Sequence, residues 1–69
     1  MSDADAVQRV ARATCARMHA DDLASGYLVR PLRDPGQYKA KTVWPVICAA
    51  FASGVVQERA SGLLEVRDE

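Results

Sequence analysis

The chain has 69 residues, 49% apolar and 26% charged, with nine basic and nine acidic side chains and a formal net charge of zero. That length makes one domain, residues 1–69. The composition excludes intrinsic disorder, and zero charge removes the basic excess that marks most nucleic-acid binders. The aromatic residues are Tyr27, Tyr38, Trp44 and Phe51, so the core must come from Val, Leu and Ala around four rings. A chain this short buries only about 60% of its unfolded surface. A homodimer or a larger protein partner is therefore expected to complete a marginal core.

Ser2 with Asp5 three residues later reads as a helix start, and Asp3 and Asp5 suit its positive end. Val7, Val10, Ala11, Thr14 and Met18 follow at helical spacing and make one stripe, with Ala4 and Cys15 at its edge. Arg9, Arg12, Ala13 and Ala16 fall on the opposite side. Gly26 is the expected stop, with Asp21-Asp22 as an earlier end or a separate final turn. The acidic start, with no apolar run behind it, argues against a signal peptide. No apolar run approaches the roughly 20 residues of a membrane span, so no membrane contact and a cytoplasmic location are expected.

The middle is ambiguous. Tyr27-Leu28-Val29-Arg30 reads as extended, Pro31 keeps it out of a sheet interior, and Asp34-Pro35-Gly36 signals a turn. Tyr38, Ala40 and Thr42 then alternate with Lys39 and Lys41, which suits a second strand. Residues 27–42 are thus expected to form a hairpin or one long loop. Thr42 offers a helix cap, with Pro45 tolerable in a first turn. Val43, Val46, Ile47, Ala50 and Phe51 then give the best core stripe in the chain, closed by Gly54.

Val55–Arg59 and Leu63–Arg67 flank Ala60-Ser61-Gly62, which reads as a hairpin with a short glycine-containing turn. A helix continuing through Gly54 to about Ala60 would cost about 1 kcal/mol for the glycine, and paired valines favour strands. Arg67-Asp68-Glu69 is expected to fray. The expected fold is α+β: a long N-terminal helix, a central hairpin or loop, a short buried helix and a C-terminal β-hairpin. The alternative is winged-helix-like or mostly helical.

Little in the chain carries site chemistry. Cys15 and His19 lie four apart on a helix and could pair as nucleophile or metal ligands. The plainer reading is a half-buried thiol beside an exposed imidazole. A zinc site would need Cys15, His19, Cys48 and Asp22 to converge without the two close ligand pairs that mark structural zinc. There is no calcium-loop pattern and no phosphate-binding glycine cluster. No catalytic residue, cofactor or metal is expected. Arg30, Arg33, Lys39 and Lys41 form the one local concentration of positive charge, with Tyr27 and Tyr38 inside it. Such a patch suits a partner-binding surface or a nucleic-acid strand; a solvated edge protected by lysines is the plainer reading.

The run Val46–Arg59, followed by Ser61-Gly62-Leu63-Leu64-Glu65-Val66, resembles the last helix and wing of winged-helix regulators: a helix, a glycine, a strand, a tight turn and a strand. The resemblance implies a DNA- or RNA-binding transcriptional regulator. Its recognition helix, however, offers only Thr42, Trp44 and Ser53 to base edges, and its wing carries Glu58, Arg59 and Glu65. The Val10–Arg17 run is similar in style to short proteins of high-GC bacteria and their phages, and seven Arg against two Lys fit that composition. The leading expectation is a non-enzymatic protein-binding module, a small accessory or inhibitory protein acting on a larger bacterial complex. Its candidate contacts are Tyr27, Arg30, Arg33, Tyr38, Lys39 and Lys41, with Trp44 going to the core.

Overall fold

The computed structural model describes residues 3–66. The Ser2 cap and the fraying of residues 67–69 lie outside them. Helix α1 runs from Asp3 to Ser25, a 3-10 turn covers Pro35–Gln37, and helix α2 runs from Ala40 to Ala52. Strands β1 (Val56–Glu58) and β2 (Leu64–Val66) pair antiparallel, with Val56 opposite Val66, Gln57 opposite Glu65 and Glu58 opposite Leu64. Two helices and a terminal hairpin make a small α+β fold, as the sequence pattern indicated.

The α1 stop falls where glycine permits it. Gly26 has φ +82°, a left-handed value disfavoured for a side chain. Its N–H bonds to the Leu23 carbonyl at 3.2 Å. In the hairpin, Gly62 takes φ +85° and its N–H donates to the Arg59 carbonyl at 2.9 Å, while Arg59 N–H donates to Leu63 at 2.8 Å. That is a three-residue hairpin loop, Ala60-Ser61-Gly62, with glycine at its left-handed position.

The core is small. Val10, Ala11 and Ile47 are buried at its centre, and Val7, Val43, Trp44, Phe51 and Leu64 pack partly buried around them. It therefore lies between the first half of α1, the inner side of α2 and the hairpin. The molecule is long, 41 × 19 × 18 Å, because α1 alone spans about 35 Å at 1.5 Å per residue.

Three expectations for α2 are corrected by this packing, and of the hairpin and the loop left open for residues 27–42 the structure has the loop: the segment contains no strand and leads into the 3-10 turn and the start of α2. Pro31 blocks ladder pairing there, and Lys39, φ 57°, turns the chain into α2 three residues before the expected cap at Thr42. Thr42 is consequently inside the helix, and the Lys39 carbonyl caps it by accepting from Thr42 and Val43 N–H at 3.1 and 3.0 Å. Pro45 is also interior, so it removes one helical hydrogen bond; it sits on the exposed side of α2. Finally, α2 is not a buried helix. Ile47 alone is buried, and Pro45, Val46, Cys48, Ala49 and Ala52 are exposed.

The buried stripe of α1 also differs from the expected one. It runs through Val10, Ala11, Cys15 and His19, drifting around the helix because the partner changes from α2 to the 3-10 turn. The side assigned to Arg9, Arg12 and Ala13 is not free. Arg9 pairs with Glu58 of β1, Arg12 pairs with Asp34 ahead of the 3-10 turn, and Ala13 Cβ sits 3.9 Å from where a Gly62 Cβ would lie.

Candidate functional site

The second half of α1 supports the 27–39 segment through polar contacts. His19, 5% exposed, accepts the Leu32 backbone N–H on Nε2 at 2.9 Å. That role requires Nε2 to be unprotonated. The exposed imidazole expected from the sequence is thus a buried anchor for the loop. Three residues along, one turn of helix away, Asp22 accepts from the Tyr38 hydroxyl at 2.5 Å and pairs with Lys39 Nζ at 3.5 Å. Its backbone carbonyl accepts from Leu28 N–H at 3.0 Å. The His19 and Tyr38 rings meet edge-on, 5.5 Å between centroids.

Lys39 is a side-chain-bearing residue in a left-handed conformation, which costs about 1–2 kcal/mol. Its ammonium answers that cost, 5.3 Å from the centroids of both Tyr27 and Tyr38 and in reach of Asp22. The turn ahead of it is fixed separately. Asp34 caps the 3-10 turn by accepting from Gly36 N–H at 3.1 Å and holds Arg12 Nη2 at 2.9 and 3.1 Å. The guanidinium lies flat against Gly36, where a Cβ would come within 2.9 Å of it.

The titrating groups near this assembly are committed to structure. The hydrogen bond to Asp22 pushes the Tyr38 phenol up to about 12, so it does not ionise near neutrality. Burial raises the Cys15 thiol; the Trp44 indole and the Arg12 charge oppose that more weakly. A buried, raised thiol is a poor nucleophile. The Trp44 Nε1–H, turned toward that sulfur, is buried without a well-formed hydrogen bond. Cys15 and Cys48 are both free, one buried and one exposed. Among the described residues no three His, Cys, Asp or Glu side chains converge as a metal set, and no helix is long and apolar enough to cross a membrane.

Of the six residues singled out from sequence, the fold brings Tyr27, Tyr38 and Lys39 together. Tyr38 is 7% exposed and therefore internal. Arg30 and Arg33 stand exposed on the loop and Lys41 on the first turn of α2, with no ion pair among the described residues. Tyr27 and Val29 are 76% and 86% exposed. Sequence reading missed Val29 and Leu32 as exposed apolar groups, and missed His19 and Asp22 as the anchors beneath them. The spacing of three between His19 and Asp22 was the available signal, since it puts both on one helical face. Compared with family models, curated proteins and solved structures, the chain matches none.

Proposed function

We propose that this chain is a non-enzymatic protein-binding module, a small accessory or inhibitory protein that docks on a larger bacterial complex through the 27–33 loop. The observation that carries the reading is the loop itself. Tyr27, Val29 and Leu32 are exposed large apolar groups, Arg30 and Arg33 are exposed cations between and beside them, and the backbone is tied to α1 at Leu28 and Leu32. Tyr and Arg dominate binding hot spots, and a loop already held in shape loses less entropy on binding. The nearest loop anion, Asp34, is already engaged by Arg12. The surface on offer is therefore apolar and cationic, which suits an acidic protein face with an apolar centre.

The engagement of Cys15, His19 and Tyr38 in packing and hydrogen bonds supports a non-catalytic role. The helix–glycine–hairpin order of a winged-helix regulator is present, but the inward-facing wing acid, Glu58, is occupied by Arg9 at 2.8 Å. Lys41 is the one charged residue of α2, so among the described residues nucleic-acid contact would rest on the scattered exposed cations Arg30, Arg33, Lys41 and Arg59 and not on a basic recognition helix.

The test is affinity capture from bacterial lysate, with and without nuclease, comparing the wild type with a Val29→Asp/Arg30→Glu variant. A discrete protein retained after nuclease and lost with the variant is the expected result. Capture indifferent to the variant contradicts the loop as the contact. Recovery that vanishes with nuclease and falls steeply with salt transfers the loop to the nucleic-acid reading.

A further inference from the structure

His19 is the one histidine of the chain, and its side chain is buried under the loop. Because Nε2 accepts the Leu32 N–H at 2.9 Å, the neutral ring carries its proton on Nδ1. Imidazole is the side chain whose charge changes between about pH 5 and 8. A proton taken from water at Nε2 turns this acceptor into a donor. Two N–H groups then face each other across 2.9 Å, and the bond is lost. We propose that His19 is an acid-operated latch: protonation at Nε2 detaches the Leu32 amide and frees residues 29–33 from α1.

Little else holds that stretch. Among the described residues, the Leu32 amide makes the only hydrogen bond to residues 29–33, and every side chain from Val29 to Arg33 is exposed. The fixed points on either side do not involve the imidazole. Leu28 N–H stays on the Asp22 carbonyl at 3.0 Å, and Asp34 stays on Gly36 N–H and Arg12. The freed stretch is therefore bounded by Leu28 and Asp34, and the Val10, Ala11 and Ile47 core lies outside it.

The groups around the ring offer an imidazolium no free acceptor. One turn before it on α1 is Cys15, a buried thiol whose raised pKa keeps it neutral. One turn after it is Asp22, already engaged by the Tyr38 hydroxyl and Lys39. Tyr38 itself meets the ring edge-on with its proton given to Asp22. The other charges of the segment packed here are Asp34, held by Arg12, and the cations Arg30, Arg33 and Lys39, which repel a charged ring. The attached loop thus binds one proton fewer than the released loop, and acid moves the balance toward release. Loss of the partner contact in acid is the functional consequence, and it rests on the docking reading above; the latch itself belongs to the isolated chain.

The test is residue-resolved amide exchange by NMR on the isolated chain, from about pH 7.5 down to about pH 5. Leu32 protection, corrected for intrinsic exchange, is expected to fall by up to about tenfold per pH unit. Leu28, Val10, Ala11 and Ile47 are expected to keep theirs. His19→Gln, whose side chain does not titrate, is expected to lose this pH dependence. The wild-type titration decides the question by itself if that variant does not fold. Leu32 protection that stays level across the range overturns the proposal, as does a fall that persists in His19→Gln. No partner enters either readout, so a level Leu32 counts against the latch alone and a failed lysate capture against the docking reading alone.

Discussion

Along its first half, α1 packs Val7, Val10 and Ala11 against α2 and the hairpin. Along its second half it offers His19 and Asp22 to a segment that is tied mainly by hydrogen bonds, Tyr38 being its one buried apolar side chain. One end of the molecule is held by burial of aliphatic surface, which is non-directional. The other is held by hydrogen bonds and charge, which fix particular atoms. The difference explains how residues 27–34 can keep a defined path while leaving Tyr27 and Val29 in solvent. Apolar anchoring would have turned those side chains inward; anchoring through the Leu28 and Leu32 amides leaves them outside.

The apolar end should dominate stability. A domain of this size has about 3–10 kcal/mol in total, and Ile47, 4% exposed, sits between α1 and α2. Ile47→Ala is expected to cost about 2–4 kcal/mol, visible as a large fall in the denaturant midpoint with little change in slope. A loss under about 1 kcal/mol would mean that Ile47 is not at the centre of the core. On the polar side, Asp34→Ala removes the cap of the 3-10 turn and the Arg12 partner together. Its expected cost is smaller, about 1 kcal/mol, measured in the same titration and partly sensitive to salt.

The smallest effects are those of pH. Glu58 is held below the usual carboxylate range by its hydrogen bonds to Arg9. Its contribution is present above the ordinary carboxylate pKa and is lost as pH falls through the lowered value. Tyr38 runs the other way. Its phenol is raised from 10 to about 12 by Asp22, so its contribution is whole below pH 10 and is lost as pH climbs toward 12. Ultraviolet titration is expected to show one tyrosine ionising near 12, a step absent in Tyr38→Phe. The absence of any tyrosine step near 12 would break the Tyr38–Asp22 link.

Local signals were legible in the sequence. Gly26 marks the end of α1, Asp34-Pro35-Gly36 the turn, and Ala60-Ser61-Gly62 the hairpin, because glycine conformations and capping act over a few residues. Hairpin and loop stayed open over 27–42 because alternation over five residues does not distinguish a strand from the entry to a helix. The left-handed Lys39 that makes the entry depends on Asp22 and two distant rings. The ties between α1 and the rest were invisible for the same reason: Arg9–Glu58 and Arg12–Asp34 join residues 49 and 22 apart. Burial of His19 was unreadable because it follows from a loop amide arriving from position 32. The exposed side of α2 was misjudged because its apolar stripe has no polar opposite face, and periodicity alone then does not say how much of a helix is covered.

The central claim is that polar anchors on α1, and not the apolar core, hold the 27–33 loop in the shape it presents. Amide hydrogen exchange tests it residue by residue. Leu28 and Leu32 are expected to be protected while Val29 and Arg30, between them, exchange freely. His19→Ala is expected to release Leu32 while Val10, Ala11 and Ile47 keep their protection. Exchange of Leu32 as fast as Val29 in the wild type, or loss of core protection together with the loop in His19→Ala, would contradict it.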